Sequence, residues 1–174
     1  SEAIEQMRDF TPELIVIDTS TPSIYNDIEV ANQLKDTFPL SFIVLVGTHP
    51  SALPHETINL SDRIDAVAIG EYDYTLRDLA TCLANNGNLG EVQGIVFRHN
   101  GTINQNERRS LIENIDELPF VSHVYKRHLN IRNYFFAAAD YPMVMIITGR
   151  GCPQRCFFCL YPQTFHSREY RPRS

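Results

Sequence analysis

Cys152, Cys156 and Cys159 stand within eight positions in the stretch GRGCPQRCFFCLYP (149–162), with the spacing C-x3-C-x2-C. Thiolates this close together suit several chemistries. A disulfide framework belongs to oxidising compartments and small secreted chains. This sequence shows no basic, then apolar, then small-residue leader pattern. Cys156 and Cys159 alone make a C-x-x-C of the redox-pair type, which leaves Cys152 without a role. Structural zinc takes four ligands, and His166, seven residues after Cys159, is the candidate fourth at a loose spacing. An iron–sulfur cluster accounts for more of the residues. Three thiolates on one short loop bind three irons of a cubane and leave the fourth open to an external ligand. Gly149 and Gly151 let the backbone bend close to it, and Arg150 and Arg155 offset the negative charge of thiolates and sulfides. Cys82 lies in a helical pattern and reads as a small core residue.

The elements that must position these residues alternate in kind. YPMVMIITGRGC (141–152) reads as an apolar strand that delivers Cys152 just past its end. Far upstream, ELIVIDTS (13–20), SFIVLVGTHP (41–50) and IDAVAIGEYD (64–73) are short runs suited to strands buried on both faces. Between the first two, NDIEVANQLKDTF (26–38) places Ile28, Ala31, Leu34 and Phe38 at helical spacing, with Asn26 or Asp27 as cap. YTLRDLATCLANNG (74–87) is a second helix, closed by Asn-Asn-Gly. Three such units predict a parallel sheet with helices on both faces. SEAIEQMRDF reads as the end of a helix with no strand before it, so the first strand of the domain is expected to be missing and the chain to be part of a longer protein. After Gly90, VQGIVFRHNGTINQN (92–106) is a hairpin turning at Asn100-Gly101, and 107–141 reads as a linker.

With 174 residues, 43% hydrophobic and 21% charged, the chain has the composition of a globular protein. No apolar run reaches the roughly 18–20 residues of a membrane span, and a cytoplasmic location is expected. The net charge of −6 conceals an asymmetry: residues 1–125 hold 7 Lys/Arg against 19 Asp/Glu, and residues 126–174 hold 8 against 2. The basic end carries the cysteines and favours anionic ligands or acidic surfaces of the same protein. Nucleic acid is not expected, since the basic residues are not interleaved with stacking aromatics.

CPQRCFFC resembles the cysteine motif of the radical S-adenosylmethionine (SAM) enzymes, C-x3-C-x-aromatic-C. The resemblance implies that Cys152, Cys156 and Cys159 bind a [4Fe–4S] cluster whose fourth iron is chelated by SAM. It places Phe158 beside the adenine and makes MVMIIT the first strand of a catalytic barrel. Upstream, VGTHPSALP, DAVAIGEYDYTLRDLA, VQGIVFRHNGTI and IDELPF look like successive landmarks of cobalamin-binding radical SAM proteins, a class that includes radical methylases and the anaerobic ring cyclase of bacteriochlorophyll synthesis. Two positions depart from that pattern: Thr48 stands where the loop has its second Gly, and Asp73 where the later motif has its second Glu. No histidine lies in a D-x-H-x-x-G motif, the source of a lower-axial cobalt ligand in methionine-synthase-like domains.

The expected fold is therefore a Rossmann-like or flavodoxin-like α/β domain of cobalamin-binding type over 1–90, a hairpin and linker over 91–140, and the start of a radical SAM (β/α) barrel over 141–174. Ligands of open α/β sheets bind beyond the carboxyl ends of the strands, which nominates Thr19, Ser20, Thr21, Gly47, Thr48, His49, Gly70 and Glu71 as cofactor contacts. His49 reads as a residue near the ligand rather than on cobalt. The resemblance implies cobalamin, SAM and the cluster as cofactors, a small-molecule substrate, and an electron donor such as flavodoxin or ferredoxin. It assigns no catalytic residue here and expects the chain alone to be inactive. The competing reading is a non-catalytic α/β ligand-binding or signalling module with a zinc-binding cysteine-rich tail.

Overall fold

The computed structural model describes residues 2–8, 10–165 and 168–174. The chain forms two compact units, one of Ser1–Leu111 with Phe157–His166 and the other of Ile112–Cys156 with Ser167–Ser174.

The first unit is an α/β domain. Helix α1 (Glu2–Arg8) leads into β1 (Leu14–Asp18), α2 (Ile24–Thr37), β2 (Phe42–Val46), α3 (Thr48–Ala52), α4 (Pro54–Asn59), β3 (Ala66–Ala68) and α5 (Asp73–Ala84), and then into the hairpin β4 (Ile95–His99) and β5 (Thr102–Gln105). The five strands lie in chain order; β1, β2 and β3 run parallel, and β4 and β5 join antiparallel. The hairpin thus continues the sheet beyond residue 90, with Ala66 opposite Phe97 and Ala68 opposite Ile95. Asn100 and Gly101 both adopt positive φ, which is what a type I′ turn requires.

Alternation along β2 sorts the core. Ile43 and Leu45 face α2 and α4, joining Ile28, Leu34 and Ile58, while Val44 and Val46 face α5, joining Leu79, Ile95 and Phe97. The four predicted core positions of the first helix, Ile28, Ala31, Leu34 and Phe38, are all buried. That helix starts earlier than Asn26 or Asp27 predicts, with Ser23 as its N-cap residue. The reason is local: Ser23 Oγ donates to the Ser20 carbonyl and accepts from the Ser20 N–H, so the turn is already closed there. Cys82 lies half-buried in α5 and packs against the α5-facing core, as its helical position predicts.

Polar ties fasten helices to the sheet. Asp65 Oδ2 accepts from the Ile43 N–H at 2.8 Å and from Lys35 Nζ at 2.7 Å. On the other face, Arg109 pairs with Asp78 of α5 and donates to Thr75 Oγ1.

In the second unit, α6 (Val121–His128) follows a short 3-10 turn at Ile115–Glu117. Arg173 donates to the Ile115 and Leu118 carbonyls, and its guanidinium lies 4.3 Å over the Phe120 ring. The predicted strand over 141–152 is reduced to β6 (Gly149–Arg150), paired antiparallel with β7 (Arg171–Pro172). A strand needs a neighbour for its N–H and C=O groups, and no ladder forms along 143–148; Met145 and Ile146 are each 65% exposed. Among the described residues no helix is long and apolar enough to cross a membrane.

Burial alone would raise the Asp78 carboxyl, but hydrogen bonds and positive charge from Arg77 and Arg109 outweigh it and hold the group below the usual carboxylate value. The folded chain therefore releases this proton more readily than the unfolded one. The contribution is complete above the ordinary carboxylate range and is lost as pH falls through the lowered folded value. Urea titrations from neutral to acid pH are expected to show a shallower acid-side loss of stability in Asp78→Asn than in the parent chain.

Candidate functional site

The three parallel strands end at one edge of the sheet, and the segments that follow them are stitched together. After β1, the Thr19 N–H donates to the Val46 carbonyl at the end of β2 (2.9 Å). Two residues on, Thr21 Oγ1 lies 3.1 Å from His49 Nδ1. Ser51 then links the second segment to the third: its Oγ donates to the Gly47 carbonyl (2.7 Å) and accepts from the Gly70 N–H (3.0 Å). Thr19, Thr21, Gly47, His49 and Gly70, nominated from sequence on separate segments, are thus each tied across the strand ends, by three separate links: Thr19 to Val46, Thr21 to His49, and Gly47 to Gly70 through Ser51. Ser20 belongs to the rim of this set through Ser23. Thr48 and Glu71 adjoin it, Thr48 half-buried at the start of α3 and Glu71 buried just after Gly70.

Gly47 is the tightest point. It adopts φ 109°, and a Cβ built there would lie 2.3 Å from both the Thr19 carbonyl oxygen and Asp18 Oδ1. The close approach of β1's end to β2's end therefore requires glycine on two independent counts. His49 and Pro50, expected in a loop, lie in the five-residue α3; Pro50 falls within the first turn, where a missing N–H costs no helical bond.

The site is polar and only partly enclosed, with Asp18 and Thr21 exposed and Ser20, Thr48 and Gly70 half-buried. Thr19 and His49 are buried, and Thr19 Oγ1 donates to Asp27 of α2. His49 Nε2 makes no contact with solvent and has no hydrogen-bond partner. A buried polar atom left in that state costs about 1–3 kcal/mol. A group that brings a hydrogen-bonding partner to Nε2 would recover that cost. Asp18 is the electrostatic feature of the site. Burial raises its carboxyl, the hydrogen bond from the Thr19 backbone counters part of the rise, and the negative charge of Asp27 adds to it.

The sequence reading missed Ser51, Asp18 and Asp27. Ser51 lies four residues after Gly47, the i to i+4 relation that lets a helical hydroxyl reach back to a carbonyl. That spacing was the available signal. Asp27 was considered only as a cap, and its link to Thr19 crosses eight residues.

The cysteine loop has no such architecture. Cys152, Cys156 and Cys159 are free thiols, Cys156 exposed and the other two half-buried. Gly151 takes φ 89°, as its bending role predicts. Phe158 is 79% exposed and packs edge-on against Phe157, with ring centroids 5.5 Å apart. Among the described residues no group of three or more His, Cys, Asp or Glu side chains is gathered to hold a metal ion. His166, the candidate zinc ligand, lies outside the described residues. The donor set itself, three uncommitted thiols on one loop, suits iron–sulfur ligation.

Comparison with known proteins agrees with the motifs. No protein-family model matches the chain. It is 30% identical over 168 residues to an uncharacterized methyltransferase from Pyrococcus horikoshii, covering 97% of this chain and 36% of that protein. It is 27% identical over 161 residues to an anaerobic magnesium-protoporphyrin IX monomethyl ester cyclase from Synechocystis, covering 91% and 31%. In structure it is similar to the radical SAM methyltransferase TsrM from Kitasatospora setae, solved with cobalamin and a [4Fe–4S] cluster, with TM-score 0.68, 16% identity, and coverage of 99% of this chain and 36% of that one. The relatives are thus a methyltransferase and a cyclase, and the resemblance carried by the motifs is borne out. The sheet and its helices have the fold of the cobalamin-binding domain of radical SAM methyltransferases. The chain spans about a third of the length of the curated relatives it matches.

Gly47→Ala is expected to destabilise the fold by about 2 kcal/mol or more, combining positive-φ strain with the clash at Thr19; equilibrium urea unfolding measures it. Asp18 keeps its proton to higher pH in the folded chain than in the unfolded one. Stability therefore falls as pH rises through the window between the ordinary and the raised value. Asp18→Asn is expected to lose that decline in the same assay.

Proposed function

We propose that the chain is the corrinoid-binding part, with the cluster loop, of a cobalamin-dependent radical SAM enzyme that methylates, cyclises or rearranges a small-molecule substrate. The observation that carries this reading is the set of hydrogen bonds across the strand ends, Thr21 to His49 and Gly47 to Gly70 through Ser51, beside a buried imidazole nitrogen without a partner.

In this reading Cys152, Cys156 and Cys159 are the thiolate ligands of a [4Fe–4S] cluster, and the fourth iron is left to the amino and carboxylate groups of SAM. When bound, that cluster supplies one electron for reductive cleavage of SAM, drawn from a flavodoxin- or ferredoxin-type donor. Phe158 offers an exposed aromatic face for the adenine, and Gly151 bends the backbone between the first cysteine and the strand remnant. The hydroxyls of Thr19, Ser20 and Thr21, with the backbone at Gly47, Thr48, Gly70 and Glu71, line the edge where the corrinoid is held. Three free thiols on one loop need a reducing compartment, in keeping with a cytoplasmic setting.

Anaerobic incubation with iron and sulfide tests the cluster assignment. The expected product is brown, with an EPR signal after reduction, and Cys156→Ala is expected to retain little iron and no stable signal. A colourless protein that holds one tightly bound zinc would instead establish the zinc-tail module. SAM cleavage is to be measured in the full-length parent, where substrate-binding parts are present.

A further inference from the structure

His49 offers its two ring nitrogens to two different surroundings. Nδ1 is occupied by Thr21 Oγ1 at 3.1 Å, and Nε2 is enclosed and unpaired. Helix α7 (Tyr161–Thr164), which begins two residues after Cys159, packs against α3, the helix that carries His49. Thr164 of α7 is itself 3% exposed, and its Oγ1 also lacks a partner. Two helices that meet with an unsatisfied polar atom on each have made a poor contact, and a poor contact is readily exchanged for a better one.

Resting on the corrinoid reading above, we propose that His49 Nε2 hydrogen-bonds a peripheral carboxamide of the bound corrinoid, and that α7 is a stopper which covers this contact until the ligand displaces it. A carboxamide suits the site whichever tautomer His49 adopts. If Thr21 accepts from Nδ1–H, Nε2 has a lone pair for an amide N–H; if Thr21 donates to Nδ1, Nε2–H meets an amide C=O. Coordination of cobalt would demand the first tautomer alone. Nε2 has no solvent-accessible surface, so any partner must first displace what covers it, and a flexible amide arm does this more readily than a broad, rigid ring. The stopper places the segment that follows the third cysteine in competition with ligand for one histidine.

Binding is measured by equilibrium dialysis of the 174-residue chain with hydroxocobalamin, and thermal melting of each variant without ligand checks the fold. His49→Ala is expected to bind roughly fivefold to tenfold more weakly, the value of one hydrogen bond. His49→Gln keeps an amide that can pair with Thr21 and with the ligand, and is expected to bind within about threefold of the parent. Thr164→Val replaces the unsatisfied hydroxyl with a methyl of similar shape. It is expected to melt higher without ligand and to bind hydroxocobalamin more weakly, because the stopper fits better. Unchanged affinity in His49→Ala or in Thr164→Val would overturn the proposal. Cobinamide decides the cobalt alternative, since it lacks the nucleotide base and leaves the protein as the sole source of an axial nitrogen. A nitrogen-split cob(II)inamide EPR spectrum that disappears in His49→Gln would put His49 on the metal and refute the carboxamide contact. If the parent chain binds neither corrinoid, the corrinoid reading itself fails and this inference falls with it.

Discussion

The first unit depends on how closely the backbone leaving β1 can approach the backbone leaving β2. A side chain of any size at Gly47 would occupy the space of the Thr19 carbonyl and the Asp18 carboxylate. With glycine there, the Thr19 N–H reaches the Val46 carbonyl, which extends the β1–β2 pairing by one further bond. That extra bond holds the β1 segment against the start of α3, so Thr21 can meet His49 and Ser51 can meet Gly70. Remove the close approach and the bonds beyond it lose their register. The strand-end edge of the sheet is thus built from backbone geometry first and side-chain chemistry second.

The chemistry presented at that edge is hydrogen-bonding rather than cationic. No Lys or Arg occurs in residues 19–21, 47–51 or 70–71, while Asp18 and Asp27 stand close by. A phosphate recognised chiefly by charge would meet repulsion from these carboxylates; the Asp18 carboxyl is raised first by burial, and the Asp27 charge adds to the rise. A ligand rich in neutral amides meets no such penalty and finds hydroxyl, imidazole and backbone partners. Basic residues concentrate instead in residues 126–174, around the cysteines, where thiolates and sulfides would need them. The charge asymmetry of the sequence thus separates the hydrogen-bonding strand-end edge from the basic cysteine stretch.

Local signals were legible where local physics decides the outcome. The period of Ile28, Ala31, Leu34 and Phe38 marked the buried face of α2, Asn100-Gly101 marked the hairpin turn, and the strand-end Gly and Thr residues marked the candidate site. Pairing between distant elements was not legible. Nothing in VQGIVFRHNGTI says that its first strand will lie antiparallel to β3, because that pairing, Ala66 opposite Phe97 and Ala68 opposite Ile95, is made between residues far apart in the chain. Asp27 looked like a cap because caps are local. Its actual partner, Thr19, became visible only once the strand end was folded against α2.

The cysteine stretch shows the opposite balance, a strong motif on a weak scaffold. Strand β2 holds its conformation because β1 and β3 satisfy its backbone on both sides and two layers of helix bury its side chains. The run MVMIIT also carries the strand-favouring residues Val144, Ile146, Ile147 and Thr148, yet it forms no ladder, and Met145 and Ile146 remain exposed. Propensity prepares a segment to be a strand, and a neighbour must complete it. Ligand spacing, by contrast, is written into a few consecutive residues and survives without any neighbour. This is why C-x3-C-x2-C is legible as a ligand spacing from sequence while, among the described residues, the three thiols are not gathered to hold a metal ion. Gathering them is work that the cluster itself can do: thiolate–iron bonds are strong enough to order a short loop, as metal binding commonly supplies the folding energy of small ligand sets. The α/β domain needs no such help: its strand-end contacts form without a ligand, whereas a ligand set written on one short loop acquires its geometry on binding.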